Sequence, residues 1–179
     1  MHVVYRTERL VLRRFTTEDV DALVELDSDP QVMRFITDGA PTPREQVVAE
    51  ILPRFLSFDS APDAHRGIGY FAACERATGE FIGWFTLKPG YFWPDELELG
   101  YRLRRAVWGR GLATEGTLAL VAHTFDVLGE SKVIATTMRE NLASQRVMVK
   151  AGMQLECEFL EARWPGQDKR ALKFSRPRR

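Results

Sequence analysis

The feature that most constrains the fold is a glycine-punctuated junction, VWGRGLATEG at residues 107–116. Gly109 and Gly111 remove side chains from alternate positions of a turn, so backbone N–H groups there can come close to a ligand. Before the junction, residues 96–103 set Leu97, Leu99, Tyr101 and Leu103 on one face and Glu96, Glu98 and Arg102 on the other, the period of a strand. After it, residues 114–128 carry Leu118, Val121, Phe125 and Leu128 at helical spacing and stop at Gly129, which predicts a helix with one buried face. A strand, a tight turn and a helix start in that order bring first-turn N–H groups and the positive end of a helix dipole to one place, where a phosphate is stabilised. Arg102, Arg104, Arg105 and Arg110 crowd the same approach, four guanidinium groups within nine residues. The combination predicts a polyphosphate ligand held by Gly109, Arg110, Gly111, Leu112, Ala113 and Thr114.

The rest of the sequence narrows what that ligand serves. Neither the GxxxxGK[ST] of P-loop enzymes nor a GxGxxG after a strand is present, which argues against those two nucleotide sites. At 179 residues and 45% apolar, the chain fits one domain over residues 1–179, with Arg176, Arg178 and Arg179 in a solvated tail. A formal net charge of zero removes general attraction to nucleic acid or anionic membrane. With no membrane-length apolar run and no leader pattern, the expectation is a soluble, cytoplasmic protein, monomer or homodimer. Cys74 and Cys157 are far apart in apolar surroundings and read as reduced core thiols. His2 and His65 are expected at the surface and His123 partly buried in a helix, so no metal site is expected.

Residues 8–14 alternate as a strand, and Thr16 with Asp19 resembles a capping box ahead of the stripe Val20, Leu23, Val24 and Leu26. Asp29-Pro30 breaks that helix, and residues 31–36 form a short helical turn. Thr42, Pro43 and Glu45 are expected to open a further helix burying Val47, Val48, Ile51 and Leu52, kinked or ended by Pro53. Residues 59–67 read as a loop, 68–75 and 80–88 as a hairpin apolar on both faces, and 132–138 as a strand. Asn141 caps a helix that closes at Gly152, and residues 154–160 and 169–175 read as closing strands.

Two segments together resemble the GNAT superfamily of N-acetyltransferases. Its pyrophosphate-loop signature is Gln or Arg, two residues, Gly, one residue, then Gly or Ala; Gly111, Leu112 and Ala113 match its end, while Trp108 stands in the leading position. That departure resembles the ribosomal-protein N-terminal acetyltransferase branch, which reads Trp-Gly-x-Gly-x-Ala-Thr-Glu. Asn141, Ser144, Arg146 and Lys150 are similar to the family segment Asn-x-x-Ser-x-Arg-x-x-x-Lys-x-Gly, whose Asn bonds the pantetheine arm of the donor. The resemblance implies an α/β (α+β) fold: a mixed, mostly antiparallel sheet of about six to seven strands with helices on both faces. It also implies acetyl-coenzyme A as donor, no metal, and a donor site that includes Leu99, Tyr101 and Leu103.

Acetyl transfer to an amine needs a base, because only the neutral amine attacks a thioester. Glu98 is the first candidate and Glu96, on the same strand face, the second; the alternative for Glu98 is an ion pair with Arg102. Tyr101 is either a proton donor or a packing residue, and Ser144 lies near the thiol end by the resemblance. Phe35, Tyr91, Trp93 and Trp164 are expected to line the acceptor pocket. Within the implied family the acceptor is a protein N-terminus or a small amine or antibiotic. Outside enzymes, the chain reads as a non-catalytic acyl-coenzyme A sensor, marked by a cleft plugged by Trp93 or Trp164.

Overall fold

The computed structural model describes residues 2–58 and 67–178. Its elements in chain order are β1 (Val3–Arg6), β2 (Leu10–Arg13), α1 (Val20–Leu26), α2 (Pro30–Met33), α3 (Arg44–Gln46), α4 (Leu52–Ser57), β3 (Gly69–Glu75), β4 (Phe81–Pro89), β5 (Leu97–Leu103), α5 (Leu112–Asp126), β6 (Lys132–Met138), α6 (Leu142–Lys150), β7 (Gln154–Leu160) and β8 (Arg170–Pro177). The strands form one sheet in the order β1-β2-β3-β4-β5-β6-β8-β7. All neighbours are antiparallel except β5 and β6. That parallel contact is short: Leu97 lies beside Val133 and Glu98 beside Ile134, and no further pair follows among the described residues. The two central strands therefore part after Glu98, leaving the β5 edge from Leu99 to Leu103 open.

The double-faced hairpin explains the layering. On one face, Phe71, Phe85, Leu99 and Leu103 pack with Leu112, Leu120 and Val121 of α5 and Met148 of α6. On the other, Tyr70 and Ala72 pack with Leu23 of α1, Val47, and Leu52 and Phe55 of α4. Phe55 stacks on Tyr70 with ring centroids 4.0 Å apart. Fully buried side chains such as Phe71 and Phe85 each contribute about 1.5–3 kcal/mol of hydrophobic stabilisation.

Several local expectations are corrected. The sheet has eight strands rather than six or seven, because Val3–Arg6, short and only half-buried, adds an edge strand along β2. Thr42 does not cap a helix: it is buried, its N–H donates to the Asp27 carbonyl at 3.1 Å, and Pro43 precedes the first turn. Pro53 does not end the helix, which runs to Ser57; a widened π turn over Val47–Ile51 precedes Pro53, which sits in the first turn of α4 where an N–H is not needed. Val48 is consequently half exposed. α5 starts at Leu112 and turns Leu118 outward at 42% exposure, while Thr117, Leu120 and Thr124 are buried. Cys157 is exposed on the edge strand β7, and only Cys74 is a buried thiol. Arg176 is no tail residue: it lies in β8, and its guanidinium donates to the Ala151 carbonyl at 2.7 Å. The loop predicted at 59–67, apart from its last residue, and His65 lie outside the described residues, as does Arg179.

Candidate active site

Where β5 and β6 separate, a cavity of about 610 Å³ opens, walled by the 109–114 turn, the start of α6 and the α2 segment. The turn is possible because Gly109 and Gly111 adopt φ of +75° and +81°, conformations that side chains make costly. The first backbone N–H of α5 with an internal partner is that of Glu115, which donates to the Gly111 carbonyl at 3.0 Å. Among the described residues, the amides from Gly109 to Thr114 have no protein acceptor, and Gly109, Gly111, Leu112, Ala113 and Thr114 line the cavity. These are free donors at the positive end of a fifteen-residue helix, a fit for an anion.

The opposite wall comes from α6. Asn141, which lines the cavity, accepts the Ser144 N–H at 3.1 Å through its side-chain oxygen, which fixes the helix start and leaves the carboxamide NH₂ as a donor with no acceptor among the described residues. The Tyr101 hydroxyl donates to Ser144 Oγ at 3.3 Å. Burial pushes the Tyr101 phenol above its ordinary value, against a smaller opposing effect of that hydrogen bond, so it stays protonated at neutral pH. Arg146 and Lys150 line the same cavity, and no carboxylate among the described residues pairs with either. Lys150 follows Arg146 by four residues, one turn along the same helix face, the signal by which a sequence can find it. Arg34, also on the cavity wall, had no such signal.

Each of the four clustered arginines already has a carboxylate partner. Arg102 pairs with buried Asp27 at 2.5 Å, Arg104 with Glu25 at 2.7 Å, Arg105 with Asp29 at 3.5 Å and Arg110 with Glu75. Their carboxylates come from α1, its following turn and β3, partners that no local spacing discloses. Arg102 is thus matched by Asp27, not by Glu98, and Arg110 does not line the cavity. Trp108 does line it, with its indole N–H anchored to the Leu103 carbonyl at 2.8 Å. Leu103 is at the wall, whereas the Leu99 side chain is in the core.

Glu98 sits at the point where the strands part. Its carboxylate accepts from the Thr136 hydroxyl at 2.5 Å, with the Lys88 ammonium 3.9 Å away. Glu96, in contrast, is held by Lys132 at 2.7 Å and Lys173 at 2.5 Å. Burial works to raise its pKa, but the two ammonium groups outweigh it and hold the carboxyl below its ordinary value, an environment unsuited to a base. Of the four aromatics expected at the acceptor pocket, only Phe35 lines the cavity. Tyr91 lies under the Arg163 guanidinium, Trp93 packs on Phe159 beneath the Lys173 ammonium, and Trp164 is buried with Met138 and Ala171. Neither tryptophan plugs the cavity.

A splayed mixed sheet with free amides on one side of the gap and a capped helix on the other is the architecture of an N-acetyltransferase. A family model described as an acetyltransferase (GNAT) domain matches residues 9–154, and the chain belongs to that family. It is 32% identical over 154 residues to an FsC-acetyl coenzyme A-N(2)-transacetylase of Aspergillus fumigatus, covering 82% of this chain but only 63% of that protein's length. The structure is similar to a GNAT-family acetyltransferase of Bacillus anthracis, at 23% identity with a TM-score of 0.78, spanning 99% of this chain and 98% of the other. It also resembles RimL, a ribosomal L7/L12 α-N-protein acetyltransferase solved with coenzyme A, at 17% identity and a TM-score of 0.77 over 98% of each chain. Such identities speak to the fold alone.

Proposed function

We propose that the protein transfers an acetyl group from acetyl-coenzyme A to a primary amine. The observation that carries this reading is the row of amides from Gly109 to Thr114 without protein acceptors, facing the unpaired Arg146 and Lys150 across one cavity. Free N–H groups and two unmatched cations suit a diphosphate with a further phosphate, and the open β5 edge beyond Glu98 offers backbone partners to an amide-bearing arm. The fungal relative's name, an acetyl-coenzyme A transacetylase, supports the same donor.

The donor supplies an activated thioester carbonyl. On this reading Glu98 removes a proton from the incoming ammonium, directly or through water, and the neutral nitrogen attacks. N–H groups of the parted β5 edge oppose charge developing on the carbonyl oxygen. The Tyr101 hydroxyl, exchanging its hydrogen bond to Ser144 for one to the sulfur, gives its proton to the leaving thiolate as the C–S bond breaks, and the proton shed by the acylated nitrogen restores the phenol. Membership of an acetyltransferase family favours an enzyme over a sensor of acyl-coenzyme A. Within the enzyme reading, a protein N-terminus follows from the Trp-Gly-x-Gly-x-Ala-Thr-Glu likeness, and small amines are the competing class. A turnover screen of acetyl-coenzyme A with N-terminal peptides, polyamines and aminoglycosides, read as released thiol, is expected to give one productive class. Donor binding with no turnover on any amine would instead identify a sensor.

A further inference from the structure

The amide row does not hold itself in place. The turn between β1 and β2 reaches over to the start of α5, where three donors converge on one carboxylate. The Thr7 hydroxyl donates to Glu115 Oε1 at 2.5 Å, the Arg9 backbone N–H to the same oxygen at 2.8 Å, and Arg9 Nε to Oε2 at 2.7 Å. Arg9 also donates from Nη1 to the Arg110 carbonyl at 2.8 Å. Within a trans peptide unit the C=O and the following N–H point in opposite directions. Capturing the Arg110 carbonyl on the Arg9 side therefore turns the Gly111 N–H the other way, toward the cavity that Gly111 lines and Arg110 does not.

Charge points the same way. Glu115 stands in the first turn of α5, where a bare carboxylate would oppose a bound anion. Burial works to raise its pKa, but the Thr7 and Arg9 hydrogen bonds outweigh it and keep the group ionised, with its charge matched by Arg9.

We infer that Arg9 is a positioning residue for the donor's diphosphate: bridging Glu115 and the Arg110 carbonyl, it aims the turn's amides into the cavity and cancels the negative charge of Glu115 beside them. This rests on the acetyl-coenzyme A reading, and the test separates the two. The latch touches only the diphosphate end, so it governs acetyl-coenzyme A but not S-acetylpantetheine, a donor with the same thioester and no phosphate.

Kinetics with both donors and one productive amine are the measure. Arg9→Ala is expected to raise the KM for acetyl-coenzyme A about ten-fold or more, the scale of a lost hydrogen bond to a charged group, with kcat changed less than about two-fold. Its kcat/KM for S-acetylpantetheine should match the parent's. Arg9→Lys, which keeps the charge but cannot span both acceptors, should fall between. Glu115→Gln, nearly isosteric, should also raise the acetyl-coenzyme A KM because Arg9 loses its anchor, and it serves as the second variant if Arg9→Ala melts early. Equal losses on both donors, or an unchanged acetyl-coenzyme A KM in both variants, would overturn the latch. A parent that uses both donors with the same KM would instead remove the donor reading itself.

Discussion

At the residue scale, Glu98 is the proposed base, whereas Glu96 is held by two ammonium groups. Glu98→Gln keeps shape and removes basicity, so kcat/KM should fall roughly 10²- to 10⁴-fold and the ascending limb of its pH profile should flatten, with donor affinity little changed. Full activity with an unshifted profile would show that another group takes the proton. Asn141 is the second informative residue because its oxygen caps α6 while the residue lines the cavity with a spare NH₂ donor. Asn141→Asp preserves the cap and loses the donor, so thermal stability should hold while the acetyl-coenzyme A KM rises; Asn141→Ala should lose about 0.5–2 kcal/mol of stability as well. If both substitutions cost the same stability and neither moves the KM, the residue is a cap and nothing more. That cap was legible in the sequence, since Asn at a helix start is a local pattern. The partners of Arg102, Arg104 and Arg110 were not, because Asp27, Glu25 and Glu75 reach them only through the tertiary fold.

At the element scale, α5 and β4 approach so closely that one of their contacts has no room for a methyl group. A Cβ on Gly116 would stand 2.2 Å from the Phe85 ring. Of the expected stripe, Val121 and Phe125 are buried and Leu128 packs against the core, but Leu118 is turned out, and the small residues Gly116, Thr117 and Thr124 are buried instead. Hydrophobic spacing finds where bulk is buried, not where small residues let backbones meet. Gly116→Ala should destabilise by about 1–3 kcal/mol, read as a lower urea midpoint at unchanged slope, whereas Leu118→Ala should stay within about 0.5 kcal/mol. The reverse ranking would mean that the stripe, not the glycine contact, seats the helix. The strands were easier to read: the alternation of residues 97–103 and the two-faced hairpin both reappear as β5 and as β3 with β4. The parting of β5 from β6 left no trace in either strand's own pattern, since it is a relation between them.

At the scale of the whole molecule, the parted sheet is tied below the gap by an ion cluster. Glu96, the residue before β5, and Glu156 on β7 share Lys132 on β6 and Lys173 on β8, so that two carboxylates and two ammonium groups join β6, β7 and β8 to the start of β5. Burial works to raise the Glu156 pKa, but the two lysines bring it down to about 2, and Glu96 is lowered as well. Because the folded values lie below the ordinary 4.5, this contribution is complete above about pH 4.5 and is lost as pH falls toward 2. The urea midpoint should drop across that window, and less steeply in Glu156→Gln; superimposable profiles would dismiss the cluster as a tie.

The central proposal is a donor bound at the α5 amides, and ligand-linked melting tests it most directly. Coenzyme A at ~100-fold above its dissociation constant should stabilise the wild-type protein by about 2.7 kcal/mol. Gly111→Asp, which forces a side chain onto a φ of +81° and sets a carboxylate beside Arg9 within the amide turn, should melt without any such shift. A clear rise in melting temperature for the wild type alone is the predicted result; a wild-type protein whose melting is indifferent to saturating coenzyme A would contradict the account.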